Sequence, residues 1–178
     1  AWIQERISTV YGIDSELLLP TVDISAWIEG SRDVGDYVVT IGRASHVKGT
    51  WDTIEMLAGS KISLSLVGSG SKEDLAQLQS HANNLGVEIE IMPKLTQNDL
   101  VSLVKGARAV VSLAHKEPFG LTPIEAQAAG TPALMVNEGG FQYTVEDGIS
   151  GRLLPRGDWE IWHEALEPVS YTHLRAHE

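Results

Sequence analysis

AVVSLAHKEPFGLTPIEAQAAGTPALMV, residues 109–136, holds a complete strand–turn–helix–strand unit. AVVSLA (109–114) reads as a central strand and PALMV (132–136) as the next one. Between them, Thr122-Pro123-Ile124-Glu125 has the form of a helix N-terminus. Thr122 is placed to cap, Pro123 takes the first helical position, and Glu125 three residues on completes a capping box. Gly130, with Pro132 two residues later, closes the helix. Glu117 and the turn Phe119-Gly120-Leu121 have no part in that scheme.

The same alternation extends outward in both directions. YVVTIGR (37–43) is a buried strand, followed by a loop and a helix over 49–58. ISLSLVGSG (62–70) is a second strand ending in a Gly-rich turn, and KEDLAQLQSHANNLG (72–86) is an amphipathic helix closed by Gly86. VEIEIMP (87–93) alternates strictly, as an edge or half-exposed strand does. TQNDLVSLVKGA (96–107) is a short helix capped by Thr96. Beyond PALMV, the turn NEGGF leads to a short helix, GRLLP (151–155) is a last strand, and another helix starts near Asp158. Repeated strand–helix–strand units predict an α/β, Rossmann-like parallel sheet with helices on both faces. Ligands of such sheets bind at the strand C-termini.

Residues 1–35 do not fit the alternation, and SAWIEGSRDVGD (25–36) reads as a linker into a domain spanning 36–167. AWIQERISTVYGIDSELLLPTVD (1–23) begins without Met and reads as the tail of something longer. At the other end, VSYTHLRAHE (169–178) is similar to an in-frame translation of a transposase-type sequencing-library adapter. Residues 168–178 are therefore set aside as non-native, with the natural chain expected to break off near Glu167. His173 and His177, four apart, would mimic half a zinc site and are set aside with them.

The 178 residues are 43% hydrophobic and 21% charged, enough for one domain with its own core. A net charge of −11 gives no electrostatic support to nucleic-acid or anionic-membrane binding. There is no cysteine for disulfides or thiolate metal sites. No apolar run approaches the roughly 20 residues of a membrane span, so a cytoplasmic location is expected. His46, His81, His115 and His163 are dispersed, and no metal or cofactor is expected. Trp27, Trp51, Trp159 and Trp162 read as packing or interdomain contacts rather than ligand platforms.

Chemistry concentrates after the strands. Gly42, Arg43, Lys48 and Gly49 follow the first strand; the two cations either converge on one polyanion or are solvated separately. GSGSKED (68–74) is half of a dinucleotide fingerprint, but Glu73 occupies the third glycine position, which argues against a nicotinamide site. It is either a tight turn into a helix or a ligand-contacting loop. Glu117 and Glu125 flank the turn 119–121 with seven residues between them. A carboxylate is repelled by phosphate but accepts two hydrogen bonds from a vicinal diol. A turn rich in N–H groups at a helix start suits the phosphates themselves. A diphosphate with sugar hydroxyls on both sides satisfies all of these groups, and that ligand is a nucleotide sugar.

At this point the residues resemble the C-terminal, donor-binding half of retaining GT-B glycosyltransferases, the glycosyl transferases group 1 family. The matching segments are VYGIDSELLLPTVD, GRASHVKG, LVGSGS, HKEPFGLTPIEAQAAGTP and NEGGFQYTVEDGISGRLL, in the family's order over about residues 10–155. The resemblance implies that Arg43 and Lys48 stabilise the donor diphosphate as it leaves, an electrostatic effect of about 3–4 kcal/mol per well-placed donor. It implies that Glu117 faces the transferred sugar, that Phe119, Gly120 and Leu121 meet sugar and phosphates, and that Glu125 holds the ribose diol. Gly42 and Gly68 open the two turns beside the donor, and the base docks near Met92–Lys94, with Met92 and Lys94 as contacts.

Transfer in the family retains anomeric configuration by front-face attack without a metal. The absence of an Asp-x-Asp motif agrees, because that motif binds metal in the other glycosyltransferase fold. The acceptor belongs to an N-terminal domain missing from this chain, so the fragment is expected to bind donor without turnover. Tyr143 stands where the family often has glutamate and is given no donor role. A non-catalytic nucleotide-sugar-binding module and a sugar-nucleotide epimerase of the same fold are the alternatives. A phosphoacceptor receiver domain is excluded, because Gly42-Arg43 follows the first strand where that domain needs a cluster of acids.

Overall fold

A computed structural model describes residues 2–167, so the segment 168–178, with His173 and His177, lies outside the described residues. Among the described residues, six strands form one parallel sheet: β1 (Tyr37–Ile41), β2 (Ser63–Val67), β3 (Ile89–Met92), β4 (Ala109–Ser112), β5 (Ala133–Val136) and β6 (Arg152–Leu154). Their spatial order is β3-β2-β1-β4-β5-β6, with every neighbouring pair parallel. The helices are α1 (Trp2–Tyr11), α2 (Ser25–Ile28), α3 (Thr50–Leu57), α4 (Lys72–Leu85), α5 (Gln97–Gly106), α6 (Thr122–Ala128), α7 (Phe141–Thr144) and α8 (Trp159–Leu166). A 3-10 turn, His46–Lys48, precedes α3.

Connections of one hand that run outward in opposite directions from β1 and β4 put their helices on opposite faces. The packing follows: α3 contacts α4 and α8, whereas α2 contacts α5 and α6. The central strands β4 and β5 are buried throughout, as continuous apolar runs require, while alternating β3 lies at the edge. Ser71 and Thr96 cap α4 and α5 by accepting from the amides of Asp74 and Asp99, and Gly86 closes α4 in the left-handed conformation.

The helix α6 departs from expectation. Leu121 already has helical angles and accepts from the amides of Ile124 (3.0 Å) and Glu125 (3.1 Å). Thr122 is thus one residue inside the helix, where it cannot cap, and no side chain caps this end. The capping box does not form, so Glu125 is not held by one.

Residues 25–36, read from sequence as a linker, are fastened to the sheet domain. Trp27 is only 2% exposed in the core. Arg32 donates Nε to Lys105 O (2.9 Å), Nη1 to Gly130 O (2.7 Å) and Nη2 to Ala107 O (2.7 Å). Those carbonyls close α5 and α6, where unsatisfied acceptors and the helix dipole both favour a cation. Lys105 Nζ donates to Glu29 O, and Gly35 N donates to Gly106 O at 2.8 Å. On the opposite face, α8 buries Trp162, whose Nε1 donates to Pro155 O at 2.8 Å. Trp27 and Trp162 are core packing, and Trp51 and Trp159 are partly buried against the same core. No described helix is long and apolar enough to cross a membrane.

Candidate functional site

The strand order reverses between β1 and β4, so the loops leaving their C-terminal ends diverge and open a crevice there. Two glycines, Gly68 and Gly49, hold the loops at this edge of the sheet together. A Cβ on Gly68 would lie 1.7 Å from Gly42 O, so the turns after β1 and β2 touch backbone to backbone. Gly68 N in turn donates to Met92 O (2.9 Å), and Ala44 N to Ser69 O (2.9 Å). Gly49 is left-handed (φ 67), and a Cβ there would lie 1.9 Å from Leu113 O. Beside it, His115 N donates to Val47 O at 2.8 Å.

This contact between the β1 and β4 loops delivers Lys48 to Glu117. Lys48 Nζ donates to Glu117 Oε2 at 2.7 Å. The pair sits in a cleft of about 330 Å³ lined also by Pro20, Ile41, Ser112, Phe119, Gly120, Leu121 and Phe141. Arg43 is exposed and lines a neighbouring cleft of about 420 Å³ with Ser45, Ser69, Gly70, Ser71 and Asp74. The two cations therefore occupy the two sides of one loop rather than a single pocket. Met92 is half-buried at the end of β3 with its carbonyl engaged by Gly68, and Lys94 is exposed just beyond it.

Glu125 is half-buried on α6 and lies outside the lining of both clefts. Burial raises its carboxyl above the usual glutamate value. A raised folded-state value means that the ionised form opposes folding. The group's contribution is most favourable below the ordinary glutamate range and is lost as pH rises through the raised value. We expect Glu125→Gln to raise the melting temperature at neutral pH by about 2 °C, less than about 1 kcal/mol, with no gain well below the carboxylate range. Paired thermal melts at the two pH values check this. Among the described residues no hydrogen bond or ion pair offsets that burial of the Glu125 carboxyl.

The turn that carries Glu117 is held from behind by groups that the sequence did not single out. Gly140 N donates to Glu117 O (2.6 Å), and a Cβ on Gly140 would lie 2.4 Å from Phe119 Cα. A Cβ on Gly139 (φ 60) would meet Glu117 O at 2.7 Å. Lys116 takes a positive φ of 48. Such a backbone costs a non-glycine residue of order 1 kcal/mol and persists where its surroundings enforce it. Arg156 does much of the enforcing, since it donates Nε to Glu138 Oε1 (2.9 Å), Nη2 to Leu113 O (2.9 Å) and Nη1 to Asp52 Oδ2. The adjacent glycines in NEGG were the available signal; Arg156 had none, because its partners are distant in sequence.

The Arg156 hydrogen bond holds the Glu138 carboxyl below the usual glutamate range, with smaller help from His115 and the Lys116 amide. A lowered folded-state value gives stability that is complete above the ordinary glutamate value and is lost as pH falls through the depressed one. Arg156→Ala leaves two carboxylates and a carbonyl short of a partner. We expect it to cost about 2 kcal/mol at neutral pH. The deficit shrinks below the ordinary glutamate range, as chemical denaturation at the two pH values would show.

Comparison with known proteins gives the site a context. The family model described as glycosyl transferases group 1 matches residues 23–170. A D-inositol 3-phosphate glycosyltransferase of Frankia alni is 31% identical over 180 residues, covering 92% of this chain and 44% of that protein. A second, from Saccharomonospora viridis, is 37% identical over 105 residues, covering 58% of this chain and 24% of its own. The chain thus spans less than half the length of these curated relatives. Among solved structures, Anabaena HepE in complex with UDP-glucose superposes with a TM-score of 0.69 at 25% identity, over 78% of this chain and 41% of that one.

Proposed function

The chain belongs to the glycosyl transferases group 1 family, and on that premise we propose that its cleft is the donor site of a retaining, metal-independent glycosyltransferase. The observation that carries the proposal is the Lys48–Glu117 pair, one cation and one carboxylate presented together at the topological switch point. A nucleoside diphosphate sugar has a complement for each. Lys48, with Arg43 from the far side of its loop, takes the diphosphate and stabilises the charge that grows there as the sugar leaves. These cations do the work that a divalent ion does in other transferases. Glu117 accepts from hydroxyls of the transferred sugar. Glu125 accepts from the ribose diol, a role that accounts for its unfavourable burial.

The helix α6 has only seven residues, so its dipole adds little, and the amides of the turn 119–121 matter more. Among the described residues no hydrogen bond takes the amides of Gly120 or Leu121. The base rests near Met92 and Lys94. The acceptor attacks the face that the leaving group vacates, so configuration is retained, and its contacts belong to another part of a longer protein. The 178-residue chain itself binds donor without sustained transfer.

The ribose role is tested by titrating the chain with UDP and with 2′-deoxy-UDP. Unmodified UDP should bind about tenfold more tightly, and Glu125→Ala should erase the difference. Equal affinities for the starting chain would remove Glu125 from the site. Sustained sugar transfer by the chain alone would contradict the division of labour.

A further inference from the structure

We propose that the Lys48–Glu117 ion pair makes the cleft select a nucleotide sugar over the free nucleoside diphosphate. The inference rests on the donor-site reading and concerns what happens to this pair when the cleft fills. Lys48 Nζ is the one side-chain partner that Glu117 has among the described residues, at 2.7 Å. Glu117 is 22% exposed, beside the apolar surfaces of Ile41, Phe119 and Phe141. Two other cations at this edge of the sheet offer no replacement. Arg43 faces the neighbouring cleft, and Arg156 is engaged by Asp52, Glu138 and Leu113 O.

A diphosphate entering the cleft draws Lys48 from Glu117. It leaves a partly desolvated carboxylate without a partner and close to a second anion, which is unfavourable on both counts. A free diphosphate brings nothing to offset this. A diphosphate carrying a sugar does, because each sugar hydroxyl can donate to the abandoned carboxylate. The penalty for opening the pair thus falls on the unconjugated nucleotide alone. The same exchange gives a route to product release. Once the sugar has moved to the acceptor, Glu117 recaptures Lys48, and the diphosphate loses one of its two cations. No bond forms or breaks in this exchange; two hydrogen-bonded partnerships trade members.

The test is calorimetric titration of the full chain with UDP and with UDP-glucose, repeated for Glu117→Gln and Glu117→Ala. The starting chain should bind UDP-glucose about fivefold more tightly than UDP, the worth of a partly exposed ion pair. Both variants should bind UDP about fivefold more tightly than the starting chain and lose the preference for UDP-glucose. The alanine variant guards against a new contact from the glutamine amide, and either variant suffices if the other fails to melt cooperatively. A role for Glu117 as a sugar contact alone predicts unchanged UDP affinity in the variants, and that result overturns the proposal while leaving the donor site standing. Failure of the folded starting chain to bind UDP, GDP, ADP or any of their sugar conjugates overturns both.

Discussion

Gly49→Ala is expected to destabilise the chain by more than about 4 kcal/mol, while Gly86→Ala costs about 1 kcal/mol. The two glycines have nearly the same left-handed backbone, with φ of 67 and 69. An alanine in that conformation costs about 1 kcal/mol at either position. The difference lies in what the new methyl meets. At Gly86 nothing lies within 4 Å, whereas at Gly49 the methyl would lie 1.9 Å from Leu113 O. Backbone cannot yield as a side-chain tip does, so the β1 and β4 loops must part. Parting them breaks the His115 N to Val47 O hydrogen bond and removes Lys48 from Glu117. Losses of this size are rare and point to a single steric cause. Urea unfolding of the two variants side by side measures the contrast. Near-equal losses would mean that the loops are not locked at this point.

Trp27→Ala is expected to cost about 3–5 kcal/mol, the usual range for emptying a large buried aromatic site. Trp27 is among the largest fully enclosed side chains, although it precedes the first strand by ten residues. Its neighbour in the clamp, Arg32, satisfies three helix-end carbonyls, and Arg32→Ala should cost roughly 2–3 kcal/mol. A large loss in both variants by equilibrium denaturation would establish residues 25–36 as part of the folding unit. Little change in either would return them to the status of a tether.

The order of elements was legible because each local signal agreed with the global arrangement. YVVTI, SLSLV, AVVS and ALMV are apolar runs bounded by glycine or polar turns, and Ser71, Thr96 and Gly86 end helices through chemistry that is local to them. That Lys48 and Glu117 fall at one edge of the sheet was legible for a related reason, although their pairing was not. Both residues follow strands whose ends a parallel sheet must bring to one edge. What failed to show was of two kinds. The capping box at Thr122 was misread because a helix boundary shifted by one residue, which moved Thr122 from a capping to a helical position. The Arg32 clamp and the Arg156 network join groups 18 to 104 residues apart, and no spacing along the chain announces such partners. Arg43 and Lys48 illustrate a third limit. Proximity in sequence placed them on one loop, but the 3-10 turn that ends at Lys48 separates the two cations into different clefts.

The cleft at the β1–β4 switch point is proposed as a nucleotide-sugar donor site. Isothermal titration of the chain with UDP, GDP and ADP and their common sugar conjugates, alongside Lys48→Ala, tests it most directly. One diphosphate and its conjugates should bind, and Lys48→Ala should weaken them at least about tenfold, as loss of a charged partner to phosphate requires. A folded chain that binds none of these ligands, or one whose binding is indifferent to Lys48, would contradict it.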